Sequence, residues 1–258
     1  MTAFALDMDG TVYKGEKAIP GAAGFVSFIK EKGIPFVFLT NNSSHGRAFY
    51  LQRLERMGFD VSLDNILTST TATVRYLRSA HPGRSVYPVG VEDLVNEISE
   101  AGIETDEEDP DIVLLAFDTS ITYEKINKAY RFLKNGSLFV ATHPDDLCPT
   151  EDGYDIDIGP FIRMFESMTG AKAEIVGKPN RRMLEMAAEK MGVRTSEVVM
   201  VGDRIYTDMR MAENAGTRSV LVLSGEATRE DLEGSGLSPT AVVGSVADIP
   251  ALIEKSAL

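Results

Sequence analysis

Asp7 and Asp9 stand just after the first apolar segment of the chain, residues 4–6, and are followed by Gly10. Side chains alternate along a strand, but a chain that turns just past the strand end can point both carboxylates into one crevice. In an open α/β sheet, ligands bind at the carboxyl ends of the strands. Two carboxylates crowded there repel each other, so they require a cation, a shared proton or both. The pair therefore predicts an acidic site that holds a cation or moves a proton.

Two later apolar segments also end in polar side chains. Residues 35–39 run into Thr40 and Asn41, whose hydroxyl and backbone N–H groups can hold the oxygens of an anion. The same residue types are common helix N-caps, and alone they would be assigned that structural role. Residues 174–176 lead to Lys178, which alone would be a solvated loop lysine, because the glycine that a Walker P-loop needs is missing.

A fourth strand end supplies a second pair of acids. Residues 198–201 are followed by Asp203 and, five positions later, by Asp208. Alone, this pair would be a turn and an N-cap. The prediction of a site rests on the combination, since four separate strand ends supply two acid pairs, a hydroxyl with an amide, and an ammonium group.

Composition and charge exclude several classes of protein. The net charge of −13 argues against nucleic acid and anionic membranes as partners. The single cysteine, Cys148, excludes an intrachain disulfide framework, and His45, His81 and His143 are scattered without the spacing of a zinc site. The sequence shows no signal-peptide pattern and no apolar run long enough to cross a membrane, so we expect a cytoplasmic protein.

Strand-like and helix-like segments alternate along the chain, which predicts parallel sheets with helical crossovers. The predicted strands are residues 4–6, 35–39, 85–89, 112–117, 138–141, 174–176, 198–201 and 219–223. The predicted helices are residues 22–32, 47–57, 70–78, 123–134, 181–191 and 208–214.

The spacing of the strand ends predicts a second domain. Thr40 and Lys178 are separated by 138 residues, whereas one βαβ unit takes about 30 residues. We therefore predict an α/β protein with a Rossmann-like parallel-sheet core, residues 1–80 and 174–258, and an inserted α/β cap, residues 81–173. Both connections to the insert leave the carboxyl ends of the core strands, so the insert is expected to cover the acidic crevice.

The four strand ends resemble the four motifs of the haloacid dehalogenase superfamily. The matching segments are Asp7-Met8-Asp9-Gly10-Thr11-Val12, Thr40-Asn41, Lys178-Pro179, and Gly202-Asp203 with Thr207-Asp208. Three further stretches are similar to its NagD-like phosphatase branch, which includes 4-nitrophenylphosphatases, phosphoglycolate phosphatases and pyridoxal phosphatases: Thr40-Asn41-Asn42-Ser43, Val176-Gly177-Lys178-Pro179 and Val222-Leu223-Ser224-Gly225. Members of that branch carry an α/β cap between the second and third motifs.

The resemblance implies Mg²⁺-dependent hydrolysis of small phosphomonoesters through an aspartyl phosphate. It makes Asp7 the nucleophile and Asp9 the group that protonates the leaving oxygen and then accepts a proton from water. The ligands that it implies for Mg²⁺ are the Asp7 carboxylate, the Asp9 backbone carbonyl, the Asp203 carboxylate and, through a water molecule, Asp208. The groups that it implies for phosphate binding are Thr40, Asn41 and Lys178.

Substrate choice is expected to lie in the predicted cap. His143 and Asp145 follow the strand at residues 138–141, where relatives carry a specificity loop, and we expect them to contact the leaving group. Asp155 and Asp157 make this region more acidic, which disfavours strongly anionic leaving groups. The expected partner is a small phosphorylated metabolite, and a homodimer through the cap stays open.

Two other functions stay open as alternatives. A phosphomutase of the same superfamily would carry a helical cap between the first two motifs, where residues 12–38 leave room for only one crossover. A non-catalytic module that binds phosphoesters would retain the fold, and loss of Asp9 would be its sign.

Overall fold

The computed structural model describes residues 2–150, 153–255 and 258. The chain divides into two compact units, and each is described by itself. The first unit comprises the described residues of Met1–Thr40, Arg47–Leu67 and Lys178–Leu258, and the second comprises those of Asn41–Gly46 and Thr68–Gly177.

Strands and helices alternate throughout the described residues. The strands are β1 (Ala3–Asp7), β2 (Tyr13–Lys14), β3 (Lys17–Ala18), β4 (Phe36–Thr40), β5 (Ile66–Thr68), β6 (Val86–Val89), β7 (Ile112–Leu115), β8 (Leu138–Ala141), β9 (Leu147–Thr150), β10 (Gly153–Ile156), β11 (Glu174–Ile175), β12 (Val198–Gly202), β13 (Arg218–Val222) and β14 (Ala241–Val243). The helices are α1 (Ala22–Glu31), α2 (Arg47–Arg56), α3 (Ser69–Ala80), α4 (Glu92–Glu100), α5 (Tyr123–Asn135), α6 (Gly159–Thr169), α7 (Arg181–Met191), α8 (Arg210–Ala215), α9 (Arg229–Ser235) and α10 (Ile249–Glu254). This alternation confirms the predicted α/β fold class.

The sheet of the first unit has the strand order β14-β13-β12-β1-β4-β5. Strand β1 pairs in parallel with both β12 and β4, and every residue of these three strands is buried. Parallel strands covered on both faces read as continuous apolar runs, which is why the sequence predicted them. The register pairs Leu6 with Val201 and Asp7 with Leu39, so the carboxyl ends of the three strands lie together at one edge.

Helix α1 shows how the first unit packs its core. Its buried residues Ala22, Phe25, Val26 and Ile29 recur at helical spacing on one face. The ring of Phe25 meets that of Phe4 edge to face at 5.7 Å between centroids. Burying one such side chain contributes about 1.5–3 kcal/mol, so this contact fixes β1 beneath the helix.

The second unit has its own sheet and core. Its strands follow the order β11-β8-β7-β6 with parallel pairing, and all four residues of β7 are buried. Phe139 of β8 packs against Phe165 of α6 with ring centroids 5.8 Å apart. An antiparallel hairpin, β9 and β10, is also part of this unit. None of the described helices combines the length and the apolar character that a membrane crossing requires.

The two-unit division and the predicted domain boundaries differ in α3. The sequence assigned this helix to the core, whereas the division assigns it to the second unit, where it packs against α4. The segment Asn41–Gly46 also belongs to the second unit. The boundaries at residues 80 and 174 and the covering role of the insert stay predictions.

Candidate active site

Three buried carboxylates meet at the strand ends of the first unit. Asp7 is the last residue of β1, Asp203 directly follows β12, and Asp208 lies in a turn of π-helix, Ile205–Met209. One oxygen from each carboxylate lies within 4.8 Å of the others. The helix predicted from residue 208 instead starts with this π-turn, a local distortion that is frequent at functional sites.

An ammonium group balances part of this negative charge. Lys178 is only 2% exposed and forms ion pairs with Asp7 and, at 2.8 Å, with Asp208. Burial alone would lower the pKa of Lys178, but the carboxylates of Asp208 and Asp7 outweigh it and hold that pKa above its usual value. Lys178 is therefore a permanent cation in the site.

Backbone and hydroxyl groups orient the carboxylates. The Glu226 N–H donates to Asp203 Oδ2 at 2.7 Å, and the Arg204 N–H donates to Asp208 Oδ2 at 3.2 Å. The Thr11 hydroxyl lies 3.4 Å from oxygens of both Asp7 and Asp203. Supporting contacts of this kind hold metal ligands in a fixed orientation.

Burial and mutual repulsion keep protons on this cluster. Burial, with the charges of Asp7 and Asp208, raises the pKa of Asp203 to about 8. Burial also raises the pKa of Asp208 to about 6, against the opposing charge of Lys178. At neutral pH, Asp203 therefore holds its proton, so the cluster carries less negative charge than three ionised carboxylates would.

The donor set fits a divalent metal ion. Three carboxylates offer only oxygen, which hard divalent cations prefer, and their ligand atoms are already close together. Burial and the charges of Asp7 and Asp208 raise the pKa of Asp203. A cation at this point would relieve the repulsion between the carboxylates. The cluster could therefore bind one divalent metal ion.

The metal-free and metal-bound proteins should respond differently to pH. Asp203 and Asp208 hold protons when folded at pH values where unfolded carboxyls, with pKa 3.8, have lost them. The stability of the metal-free protein should then fall as pH rises through this range. A cation, in contrast, should bind more tightly as the carboxyls of the cluster lose their protons. We expect a fixed excess of Mg²⁺ to raise the melting temperature more at about pH 8.5 than at about pH 6.

Thermal unfolding with Mg²⁺ and with EDTA at both pH values measures this difference. The Asp203→Asn variant is the control, since it removes the carboxyl whose pKa is raised most. An equal Mg²⁺-induced shift at both pH values in the wild type would contradict the assignment.

Two glycines leave room for the Asp203 side chain. Gly10 has φ of +83°, and a Cβ built on Gly10 or on Gly225 would overlap the Asp203 carboxylate. A methyl group at either position must displace Asp203 or move the backbone.

Gly225→Ala is expected to weaken divalent-cation affinity by roughly 10–100-fold, the scale of losing a supporting contact at a metal site. Calorimetric titration with Mg²⁺ measures it. Gly24→Ala is the matched control, because a Cβ on exposed Gly24 of α1 meets nothing within 4 Å. Unchanged affinity in Gly225→Ala would show that this cluster is not the cation site.

The remaining predicted residues of the first unit lie near the same edge. Thr40 is buried at the end of β4. Asp9 is partly exposed, and burial together with the Asp7 charge raises its pKa to about 6. The roles predicted for both stay predictions.

The residues predicted in the second unit form a different arrangement. The Asn41 amide donates to both oxygens of Asp145, at 3.1 and 3.2 Å. His143 is completely buried, with one nitrogen 3.8 Å from Asp145 Oδ2. The predicted contacts of Asn41 with phosphate, and of His143 and Asp145 with the leaving group, stay predictions.

Sequence reasoning missed the supporting residues Thr11, Gly225 and Glu226. Thr11 stood inside the first motif and Gly225 inside a stretch that resembled the NagD-like branch, so both carried a signal. Glu226 acts through its backbone N–H, and a backbone donor leaves no signature in residue type.

Comparisons with known proteins agree with the fold. The family model for haloacid dehalogenase-like hydrolases matches residues 4–104, and a second model described as HAD-hydrolase-like matches residues 175–249. An acid sugar phosphatase of Staphylococcus epidermidis is 34% identical over 92% of this chain and 92% of its own length.

Solved structures give the same result. A 4-nitrophenylphosphatase from Thermotoga maritima superposes with a TM-score of 0.92 at 39% identity and covers 96% of both chains. NagD from E. coli K-12 superposes with a TM-score of 0.90 at 33% identity, over 96% of this chain and 98% of its own. The chain therefore belongs to the haloacid dehalogenase-like hydrolases, within their NagD-like phosphatase branch.

Proposed function

We propose that the protein is a Mg²⁺-dependent phosphatase that hydrolyses small phosphomonoesters through a phosphoryl group carried on Asp7. The observation that carries the proposal is the placement of Asp7, a buried carboxylate in contact with Lys178 and clustered with Asp203 and Asp208. A carboxylate so placed is held in one orientation and can act as a nucleophile.

In the first step, a carboxylate oxygen of Asp7 attacks phosphorus, and the bond from phosphorus to the leaving oxygen breaks. Asp9 donates a proton to that oxygen, for which its pKa of about 6 suits it near neutral pH. Lys178 offsets the repulsion between the Asp7 carboxylate and the approaching phosphate. Thr40 offers a hydroxyl to a phosphoryl oxygen.

In the second step, water attacks phosphorus and the bond to Asp7 breaks, which releases inorganic phosphate and restores the carboxylate. Asp9 accepts the proton of that water, as the reverse of its first role requires. Asp7, Asp203, the Asp9 carbonyl and indirectly Asp208 would hold the cation, which when bound would supply positive charge to offset that of the phosphate.

The substrates that we propose are small phosphorylated metabolites. Acid sugar phosphatases and 4-nitrophenylphosphatases are among the similar proteins, so sugar and polyol phosphates come first, followed by nucleoside monophosphates, phosphoglycolate and pyridoxal phosphate. The net charge of −13 disfavours long polyanions by repulsion.

The test is phosphate release across a panel of these esters and 4-nitrophenyl phosphate, with Mg²⁺ and with EDTA. We expect Mg²⁺-dependent turnover on several small esters, and their relative kcat/KM values rank the substrates. If Mg²⁺ binds but no ester is hydrolysed, the proposal fails and the alternative of a non-catalytic phosphoester-binding module takes its place.

A further inference from the structure

A second buried cluster of possible metal ligands lies entirely within the second unit. It consists of His143, Asp145 and Asp157, which we call the histidine cluster. One ring nitrogen of His143 and one oxygen of each carboxylate lie within 4.8 Å of one another. His143 and Asp145 stand two residues apart after β8, and Asp157 stands between β10 and α6, so the chain returns to the cluster after the β9–β10 hairpin.

The two ring nitrogens of His143 have different surroundings. Nε2 lies 3.2 Å from the Ser43 hydroxyl and 3.7 Å from Asp157 Oδ1. Nδ1 lies 3.8 Å from Asp145 Oδ2 and makes no hydrogen bond to any residue that the structure describes. A fully buried polar nitrogen without a hydrogen bond is costly, and this one is directed towards a carboxylate. That arrangement points to a ligand between them.

Neighbouring groups hold the cluster in place. The Asn41 amide donates to both oxygens of Asp145, and the Ile158 N–H donates to Asp157 Oδ1 at 2.7 Å. The Ser43 hydroxyl accepts from the Phe117 N–H at 2.8 Å, which fixes it beside His143. Such contacts to the ligands, rather than to the metal, orient a metal site.

We propose that the histidine cluster binds one divalent transition-metal ion, with Zn²⁺ as the first candidate. Bonds of about 2.0–2.2 Å from a metal to nitrogen and oxygen give ligand separations of roughly 3.4 Å in tetrahedral geometry. The observed 3.8 Å between Nδ1 and Oδ2 needs only a few tenths of an ångström of closure. One divalent ion would neutralise both buried carboxylates and give Nδ1 its missing partner.

The chemical nature of its ligands distinguishes this site from the aspartate cluster of the first unit, which consists of Asp7, Asp203 and Asp208. Imidazole favours zinc and its neighbours among the transition metals, whereas sites built only from oxygen suit Mg²⁺. The metal in the histidine cluster would tie the two ends of the β9–β10 segment together and so restrict that segment. This inference does not depend on the proposed phosphatase activity.

The chain has three histidines, which makes histidine ¹⁵N NMR a direct test. The full-length protein, labelled with ¹⁵N-histidine and stripped with EDTA, is titrated with Zn²⁺ in the Asp203→Asn background to weaken the other cluster. We expect the ring-nitrogen signals of one histidine to shift and saturate at one Zn²⁺ per chain. His143→Gln should remove those signals, whereas His81→Gln should leave them.

Asp157→Asn provides a second readout that does not remove the histidine. It should weaken Zn²⁺ affinity by roughly 10–100-fold or more, because the loss of a residue that only supports a metal ligand already has an effect of that size. Asp155→Asn, which changes an exposed acid two residues earlier, should leave the affinity within about twofold of the Asp203→Asn background. The proposal is overturned if Zn²⁺ leaves the His143 signals unchanged. It is also overturned if both ring nitrogens of His143 carry a proton that excess Zn²⁺ does not replace.

Discussion

Asp7→Asn is expected to slow phosphomonoester hydrolysis by at least about 10⁴-fold, the scale seen when a nucleophilic group is removed from a hydrolase. The substitution exchanges one carboxylate oxygen for an amide nitrogen at nearly constant volume. The amide keeps an oxygen that can face a cation, but it is a poor nucleophile towards phosphorus. The measurement is kcat/KM for 4-nitrophenyl phosphate with saturating Mg²⁺, because that ester needs little help from an acid.

Asp60→Asn is the matched control for this prediction. Asp60 is exposed and forms an ion pair with Lys30 at the surface, so its replacement should leave turnover unchanged. Circular dichroism and the melting temperature verify that both variants fold. Activity of Asp7→Asn near that of the wild type would exclude a phosphoryl group carried on Asp7.

Lys178→Met is expected to lower the free energy of unfolding of the metal-free protein by about 3–5 kcal/mol, the usual loss when one partner of a buried ion pair is removed. Methionine fills a similar volume, so the effect comes from charge. Without the ammonium, Asp7 and Asp208 would both stay buried next to each other and to Asp203. Mg²⁺ should restore part of the loss by supplying positive charge. Urea unfolding with EDTA and with Mg²⁺ measures both effects.

Lys172→Met is the control for Lys178→Met. Lys172 is 80% exposed and forms an ion pair with Glu166, and such surface pairs contribute roughly 0–1 kcal/mol. The stability losses caused by the two lysine substitutions should therefore differ by several-fold. A loss below about 0.5 kcal/mol in Lys178→Met, the range of ordinary surface substitutions, would show that the buried charges are balanced by other groups.

The parts of the fold that position the aspartate cluster were predictable because they obey simple patterns. Strands β1, β4 and β12 are buried on both faces and are therefore apolar up to their last residues, Asp7, Thr40 and Gly202, where the polar residues begin. The hairpin β9–β10 was not predicted, since its exposed residues and Pro149 lack the alternation of a half-buried strand. Short strands such as β5 and β14 gave too few residues for any pattern to emerge.

The aspartate cluster was easier to predict than the surroundings of the residues in the second unit. Asp7, Asp203 and Asp208 are acidic residues at a strand end or in the turn that follows it, and the sheet order determines that such ends meet. The bond from Asn41 to Asp145 joins residues 104 positions apart, and no local pattern specifies that pairing. Likewise, no sequence pattern linked Asp157 to His143, because their proximity depends on the return of the chain after the hairpin.

The identity of the phosphorylated group is the most direct test of the proposed mechanism. Asp9→Asn should still form the phosphoenzyme from 4-nitrophenyl phosphate, since 4-nitrophenolate leaves without a proton, but it should hydrolyse the phosphoenzyme slowly for lack of a base. After acid quenching, mass spectrometry of the intact chain and of its peptides should find one phosphoryl group, on Asp7. Release of 4-nitrophenol with no phosphorylated Asp7, or with the phosphoryl group on another residue, would contradict the proposed mechanism.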